Sequence, residues 1–424
     1  MKFKRTSPHT AAWLRRLAAG LSVWWLCAAA LAQPASAPAM HGMKGMQHDK
    51  RATSDCTSTA LACAAAVAPF FDANGTLWAA WSAGGAVSVA HSKDGGRSFS
   101  QAVLIGQHGA LLDVGADARP QVVVDAQGRV IVAYGVFKDK NYNAQVLVAM
   151  STDGGATFSK PRSVSRDPAS QRFPTLAITA DGELFATWLD KRTVAEARKK
   201  GIEQPGAAVA FAWSRDGGAS FTTERIAQDH SCECCRLALA FNAQHNPVVM
   251  FRNIYGERER DHAVLTFNDA HQPGPAYRVA TDRWEIDGCP HHGPSLAVAG
   301  DGSYQAAWFT LGQNRQGLFY ARSTDGGQTF SEPQAVGNAE QQAGRPYLLA
   351  KGASVWLVWK EFDGKRIFIK QRLSKDNGRT WSPDKVLAET GAYADHPLLI
   401  SDAQHVYLSW MTHDEGLRVI PLDD

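Results

Sequence analysis

Hydrophobic residues in this chain come in short bursts separated by turns, and no helical heptad is sustained. From about residue 65 onward one unit repeats. A short apolar stretch is followed by a turn and then by a second apolar run that ends on an aromatic, as in Arg119-Pro-Gln-Val-Val-Val-Asp to Val132-Ala-Tyr134 and Arg172-Phe-Pro-Thr-Leu-Ala to Ala186-Thr-Trp188. Later copies end at Phe251, Trp308, Trp359 and Trp410, and an early one at Trp81. Unit starts fall near Ala65, Arg119, Arg172, Arg236, His291, Arg345 and His396, so successive spacings from Arg119 are 53, 64, 55, 54 and 51. Short strands repeating at this period predict an all-β chain, a β-propeller with about four strands per blade. Seven starts favour seven blades, with six as the alternative. The last unit stops after three strands near Leu422, and residues 50–60 could supply the missing outer strand.

A second motif runs in phase with the first. It reads Ser92-Lys-Asp-Gly-Gly-Arg-Ser-Phe99, Ser151-Thr-Asp-Gly-Gly-Ala-Thr-Phe158, Ser214-Arg-Asp-Gly-Gly-Ala-Ser-Phe221, Ser323-Thr-Asp-Gly-Gly-Gln-Thr-Phe330 and Ser374-Lys-Asp-Asn-Gly-Arg-Thr-Trp381. The serines are 59, 63, 109 and 51 residues apart, and a degenerate copy near Asn268-Asp-Ala divides the long gap. An aspartate that accepts turn amides, two residues suited to positive φ and a closing aromatic describe a hairpin turn, not a catalytic site. The five boxes resemble the Asp-box, or BNR, repeats of the sialidase superfamily over residues 60–424. That resemblance implies a sialidase-like propeller, which in the family has six blades. It does not imply an activity, because such boxes serve many functions.

The chain has 44 basic and 41 acidic residues among 424, 45% hydrophobic and 20% charged, an ordinary globular composition. A net charge of +3 gives no reason to expect a nucleic-acid partner. Lys2, Lys4, Arg5, Arg15 and Arg16 precede an apolar run from Leu17 to about Leu31, and Ala-Leu-Ala ends at Ala32. This is the layout of a cleaved secretory signal over residues 1–32. The run is too short for a comfortable membrane span, and no later segment is apolar enough for one. The expected protein is periplasmic or secreted, with a flexible segment at 33–59 and the propeller at 60–424.

Strand parity decides which residues share a face. If the strands of a blade run a to d from the centre outward, the boxes are c–d turns. The unit starts, reached by d–a crossings, then lie on the opposite face beside the centre. There the sialidase resemblance implies an arginine triad for a substrate carboxylate, an aspartate acid/base and a tyrosine nucleophile paired with a glutamate. Arg119, Arg172, Arg236 and Arg345 could supply the triad, and Tyr255 with Glu257 the nucleophile pair, as in an exo-sialidase or other glycoside hydrolase. The first unit departs from the family pattern, because Cys63-Ala-Ala-Ala-Val-Ala-Pro69 holds no arginine. The bland alternative is that these arginines bond neighbouring carbonyls. The basic stretch Lys191 to Gln204 reads as a loop on the same face, a solvated surface or a lid.

Cysteine and histidine add a different chemistry. Once Cys27 leaves with the signal, six cysteines remain: Cys56, Cys63, Cys232, Cys234, Cys235 and Cys289. An exported protein with an even count suggests disulfides, and sequence does not choose the pairing. Yet His230-Ser-Cys-Glu-Cys-Cys-Arg236 and Cys289-Pro-His-His-Gly293 open adjacent units, so both are d–a crossings on one face. Cys232, Cys234, Cys235, Cys289, His291 and His292 together would suit copper(I) or zinc. The alternative is an inter-blade staple such as Cys235–Cys289. Met40, His41, Met43, Met46 and His48 form a second, weaker ligand set of the kind that handles copper. The function expected is an exported binding propeller that takes a metal ion or small ligand on its front face. The rivals are the glycoside hydrolase and a disulfide-stapled scaffold for an exported protein partner.

Overall fold

The computed structural model describes Cys56, residues 58–269 and residues 271–422. The signal sequence, Cys27 and Met40, His41, Met43, Met46 and His48 lie outside the described residues. The described chain is a succession of antiparallel meanders. The first contains β1 (Ala66–Phe71), β2 (Leu77–Ala83), β3 (Ala86–Ser92) and β4 (Val103–Gln107). The second contains β5 (Gln121–Val124), β6 (Val130–Phe137), β7 (Ala144–Ser151) and β8 (Arg162–Ser163). The third contains β9 (Gln171–Ile178), β10 (Leu184–Asp190), β11 (Ala207–Ser214) and β12 (Arg225–Ser231), with helix α1 (Arg192–Lys199) between β10 and β11. The fourth contains β13 (Ala238–Phe241), β14 (Pro247–Tyr255), β15 (Glu259–Asp269) and β16 (Gln272–Arg278). It joins the third through one strand pairing, Ser231 opposite Asn253. The fifth holds β17 (Ser295–Val298), β18 (Tyr304–Leu311), β19 (Gln316–Ser323) and β20 (Gln334–Val336). The sixth holds β21 (Gly344–Lys351), β22 (Ser354–Phe362), β23 (Ile367–Ser374) and β24 (Lys385–Thr390). The last has three strands, β25 (Leu398–Ser401), β26 (Val406–Thr412) and β27 (Gly416–Leu422). Each expected unit start falls at or just before an inner strand. Among the described residues no fourth strand completes the last meander. Instead the 3-10 turn Leu61–Cys63 packs against β27, and Trp81 Nε1 donates to the Thr59 carbonyl.

Middle strands are the most deeply buried, several along their whole length. Leu77-Trp-Ala-Ala-Trp-Ser-Ala83 and Ala207-Ala-Val-Ala-Phe-Ala-Trp-Ser214 have no exposed position, whereas outer strands such as β12 are half exposed. A strand buried on both faces needs apolar partners on both faces, which is why these runs are continuously hydrophobic rather than alternating. Separate apolar clusters fill the spaces between consecutive meanders, and one joins Ala79, Trp81 and Ala90 of the first to Met411 and Leu417 of the last.

The boxes form the turns between third and fourth strands. Ser151 Oγ donates to Asp153 Oδ1 (2.7 Å) and accepts the Gly155 N–H (2.8 Å), while Thr157 Oγ1 donates to Asp153 Oδ2 (2.6 Å). The serine contacts recur at Ser92, Ser214, Ser323 and Ser374. The second glycine faces the preceding meander: a Cβ on Gly155 would lie 2.7 Å from the Trp78 ring, at φ +84°. The first position meets no such neighbour at Gly154, and the fifth box places Asn377 there at φ 58°. Each closing aromatic packs into the same seam, as Phe158 does beside Trp78.

Two predictions follow from this geometry. Gly155→Ala should destabilise the protein by about 1–3 kcal/mol through overpacking. Gly154→Asn should stay within about 0.5 kcal/mol, as an uncrowded surface change that asparagine's left-handed tolerance allows. Urea denaturation checks both, and equal losses would sink the seam argument. The box aspartates also set an acid limit. Hydrogen bonds from Thr157 and Thr329 lower Asp153 and Asp325 to about 2 from an ordinary 3.8. The folded state therefore holds fewer protons than the unfolded state between these values. The stabilisation is complete above about pH 4 and is lost as pH falls toward 2. Asp153→Asn with Asp325→Asn should flatten the fall of the urea midpoint across that range, and an unchanged slope would contradict this.

Candidate thiol site beside an arginine–aspartate network

Two crossings bracket the fourth meander, and they carry the cysteines. The chain leaves β12 at Ser231, and the Cys232 N–H donates to the Arg252 carbonyl of β14 (2.8 Å). The turn Cys232-Glu-Cys-Cys235 then carries it to β13. All three cysteines are 1–2% exposed, and their sulfurs lie within 4.8 Å of one another, Cys232 and Cys234 being 3.3 Å apart. The second crossing, from β16 to β17, presents Cys289 at the surface, and the Cys234 thiol lowers it from the usual thiol range. Arg260 ties the crossings together, with Nη1 donating to Cys232 Sγ (3.3 Å) and to the Gly288 carbonyl (3.1 Å). Helix α1 closes onto the same turn: Lys191 pairs with Glu233, and Asp229 accepts from Thr193 Oγ1 (2.9 Å) and Gln204 Nε2 (2.8 Å). The expected front-face loop is therefore a docked helix.

The sulfurs are unequal. Hydrogen bonds from Cys234 and Cys235, helped by Arg252 and Arg260, hold the Cys232 thiol well below the usual thiol range despite its burial. The same bonds push Cys234 up, and Cys235 to about 12. Arg252 is 1% exposed, lies 4.3 Å over the Trp284 ring and donates to the carbonyls of Arg260, His292 and Phe309. Among the described residues no carboxylate pairs with it. A buried guanidinium of this kind favours a nearby anion, and the nearby group able to supply one is the Cys232 thiolate.

The histidines stand apart from the sulfur group. His292 stacks on Phe309 with ring centroids 4.1 Å apart, and burial drives its imidazole well below the usual range, so it is neutral. The His291 carbonyl accepts from Arg345. Neither ring belongs to the group of ligand atoms that contains the three cysteines. The disulfide joins Cys56 to Cys63, and Cys232, Cys234, Cys235 and Cys289 are free thiols. A Cys235–Cys289 staple is therefore not what forms. Sequence reasoning missed Arg260. It sits on β15 opposite Ile254, so the signal lay in hairpin register, which a motif search does not read.

The arginines are engaged with carboxylates. Arg119 forms two hydrogen bonds with Asp395 (both 3.0 Å) and donates to the Val67 carbonyl (2.7 Å). Arg172 forms two with Asp113 (both 2.8 Å), and Arg236 binds Asp117 (2.6 Å) and the Pro346 carbonyl (3.1 Å). Arg345 and His396 also approach Asp117, at 3.8 and 3.9 Å. The structure thus brings Arg236 and Arg345 together at one aspartate and gives Arg119 and Arg172 an aspartate each. Tyr255 lies elsewhere, with Arg278 4.3 Å from its ring centroid, and burial pushes its phenol up to about 12. Glu257 is exposed at the tip of the β14–β15 turn. Asp190 and Glu361 accept from Trp188 and Trp359 and pair with Arg192 and Lys370.

If the Arg119–Asp395 pair is structural, Arg119→Met should cost about 3–5 kcal/mol, because a buried carboxylate loses its partner. Arg119→Met with Asp395→Asn should recover part of that loss in urea denaturation. A single variant as stable as the parent would point instead to a ligand-binding arginine.

No family model matches the chain, and no curated protein matches it. Solved structures do. A PL25 ulvan lyase aligns with a TM-score of 0.55 at 10% identity, over 83% of this chain and 90% of that one. The polysaccharide lyase Uly1 gives 0.52 at 9%, over 85% and 90%. The Hadza microbial sialidase Hz136 gives 0.51 at 16%, over 82% and 73%. At these identities the likeness is one of fold: the chain shares an all-β, propeller-type architecture with these two lyases and this sialidase.

Proposed function

We propose that this is an exported seven-bladed propeller that binds copper(I) through Cys232, Cys234 and Cys235. Seven blades are supported by the seven inner strands and by the apolar cluster joining first and last meanders. The observation that carries the metal reading is the buried trio of sulfurs within 4.8 Å of one another. Thiolates around one ion at ~2.3 Å stand roughly 3.8–4.0 Å apart, so small side-chain rotations suffice. Copper(I) with three thiolates carries two negative charges, and Arg252 and Arg260 supply two positive ones. Soft sulfur favours copper(I) or zinc over hard cations. In an oxidising compartment, free thiols in contact would otherwise be lost to disulfides.

A second reading draws on the neighbours named for polysaccharide lyase and sialidase activity, and would make the chain a carbohydrate-active enzyme. Against it, the arginines meant for a substrate carboxylate are bonded to Asp113, Asp117 and Asp395. We expect no turnover of a fluorogenic sialoside.

Anaerobic copper(I) titration of the reduced protein should give one tightly held ion per chain at this site. Cys234→Ser with Cys235→Ser should lose that ion while far-UV circular dichroism stays unchanged. Weaker uptake by Met40, His41, Met43, Met46 and His48 would persist in the double variant. Zinc retained in preference to copper(I) would change the metal, and equal stoichiometry in both proteins would end the proposal.

A further inference from the structure

The three sulfurs are buried, and their burial poses a problem of access. Thiolate-bound copper(I) moves between proteins by associative exchange, in which an incoming sulfur must touch the ion before the departing one leaves. At 1–2% exposure, Cys232, Cys234 and Cys235 cannot be reached by a donor without opening the fold. Cys289 can be, because it is exposed on the neighbouring crossing, next to Gly288. Arg260 holds this arrangement in place, bonding Cys232 on one crossing and the carbonyl of Gly288, the residue before Cys289, on the other.

Resting on the copper(I) reading above, we infer that Cys289 is the port of the site: the surface thiol that accepts copper(I) from a thiolate donor and passes it inward to Cys234. The exchange balances without redox change. As the Cys289–copper bond forms, the donor's sulfur–copper bond breaks, and the proton released by Cys289 goes to the departing thiolate. As the Cys234–copper bond forms, the Cys289–copper bond breaks and the Cys234 proton passes to the Cys289 thiolate; the Cys235 proton leaves to solvent as its sulfur joins the ion. Copper remains in the +1 state throughout. The partner this geometry fits is a sulfur-bound copper(I) carrier rather than the aquated ion.

The experiment uses the full mature chain, reduced and anaerobic, with copper(I)–glutathione as donor. Stopped-flow uptake is measured for wild type and Cys289→Ser, and equilibrium affinity by competition with a chromophoric copper(I) chelator. Cys289→Ser should keep one ion per chain at wild-type affinity but load about tenfold or more slowly, since exchange rate follows thiol access. Maleimide should label Cys289 ahead of the other three thiols in the metal-free protein. Uptake at the wild-type rate overturns the port. Loss of the ion from Cys289→Ser, as from Cys234→Ser, also overturns it, because Cys289 would then be a permanent fourth ligand. Failure of wild type itself to bind copper(I) defeats the underlying site instead.

Discussion

The structure depends on its middle strands being buried on both faces. Such a strand cannot belong to an isolated sheet, since either face left in water would expose a run such as Leu77-Trp-Ala-Ala-Trp-Ser-Ala83. At about 25 cal/mol per Å² of apolar surface, each buried tryptophan adds a few kcal/mol to the seam it fills. The boxes set how closely the meanders approach. A buried serine hydroxyl closes the turn, an absent Cβ at the second glycine admits the preceding meander, and an aromatic fills the remaining space. Conformational freedom and packing therefore meet at one residue, which explains why the fifth box replaces its first glycine and keeps its second.

The crossings between consecutive meanders leave backbone carbonyls and strand starts that need partners. Arginines beside the inner strands answer that need. Arg119 reaches the Val67 carbonyl, Arg236 that of Pro346 and Arg345 that of His291, so each ties its own meander to another. Guanidinium groups packed so densely need counter-charges, and Asp113, Asp117 and Asp395 provide them from the same crossings. The arginines that the sialidase resemblance assigned to a substrate carboxylate are, in this structure, bonded to aspartates and backbone carbonyls.

Much of this was legible in the sequence, because the period of the repeat and the chemistry of the boxes are local properties. The seven unit starts and the parity that places Cys232–Cys235 and Cys289 on neighbouring crossings follow from counting strands. The arginine pairings were not legible: Asp395 lies 276 residues from Arg119, and nothing in the spacing of either announces the other. Nor was the exclusion of the histidines. His291 and His292 adjoin Cys289 in sequence, yet the chain turns after it, so the His292 ring packs on Phe309 and the His291 carbonyl meets Arg345. Pattern gives neighbourhood along the chain, while side-chain direction depends on contacts made elsewhere.

The distribution of charge around the thiols distinguishes this part of the face from the rest. Elsewhere a cation drawn in from solvent has its carboxylate: the buried Arg119 has Asp395, and the partly buried Arg172 and Lys370 have Asp113 and Glu361. Arg252 is buried more deeply than any of these and, among the described residues, has none, and Arg260 beside it donates to sulfur and to a carbonyl. Hydrogen bonds to Cys232, with burial and repulsion adding to them, push Cys234 and Cys235 up, while the same bonds and the two guanidinium groups hold Cys232 down. With one thiolate against two guanidinium groups, the metal-free pocket carries an excess positive charge. A monovalent soft cation that replaces the remaining two thiol protons brings the balance to zero. A hard divalent cation finds neither its oxygen ligands nor that balance.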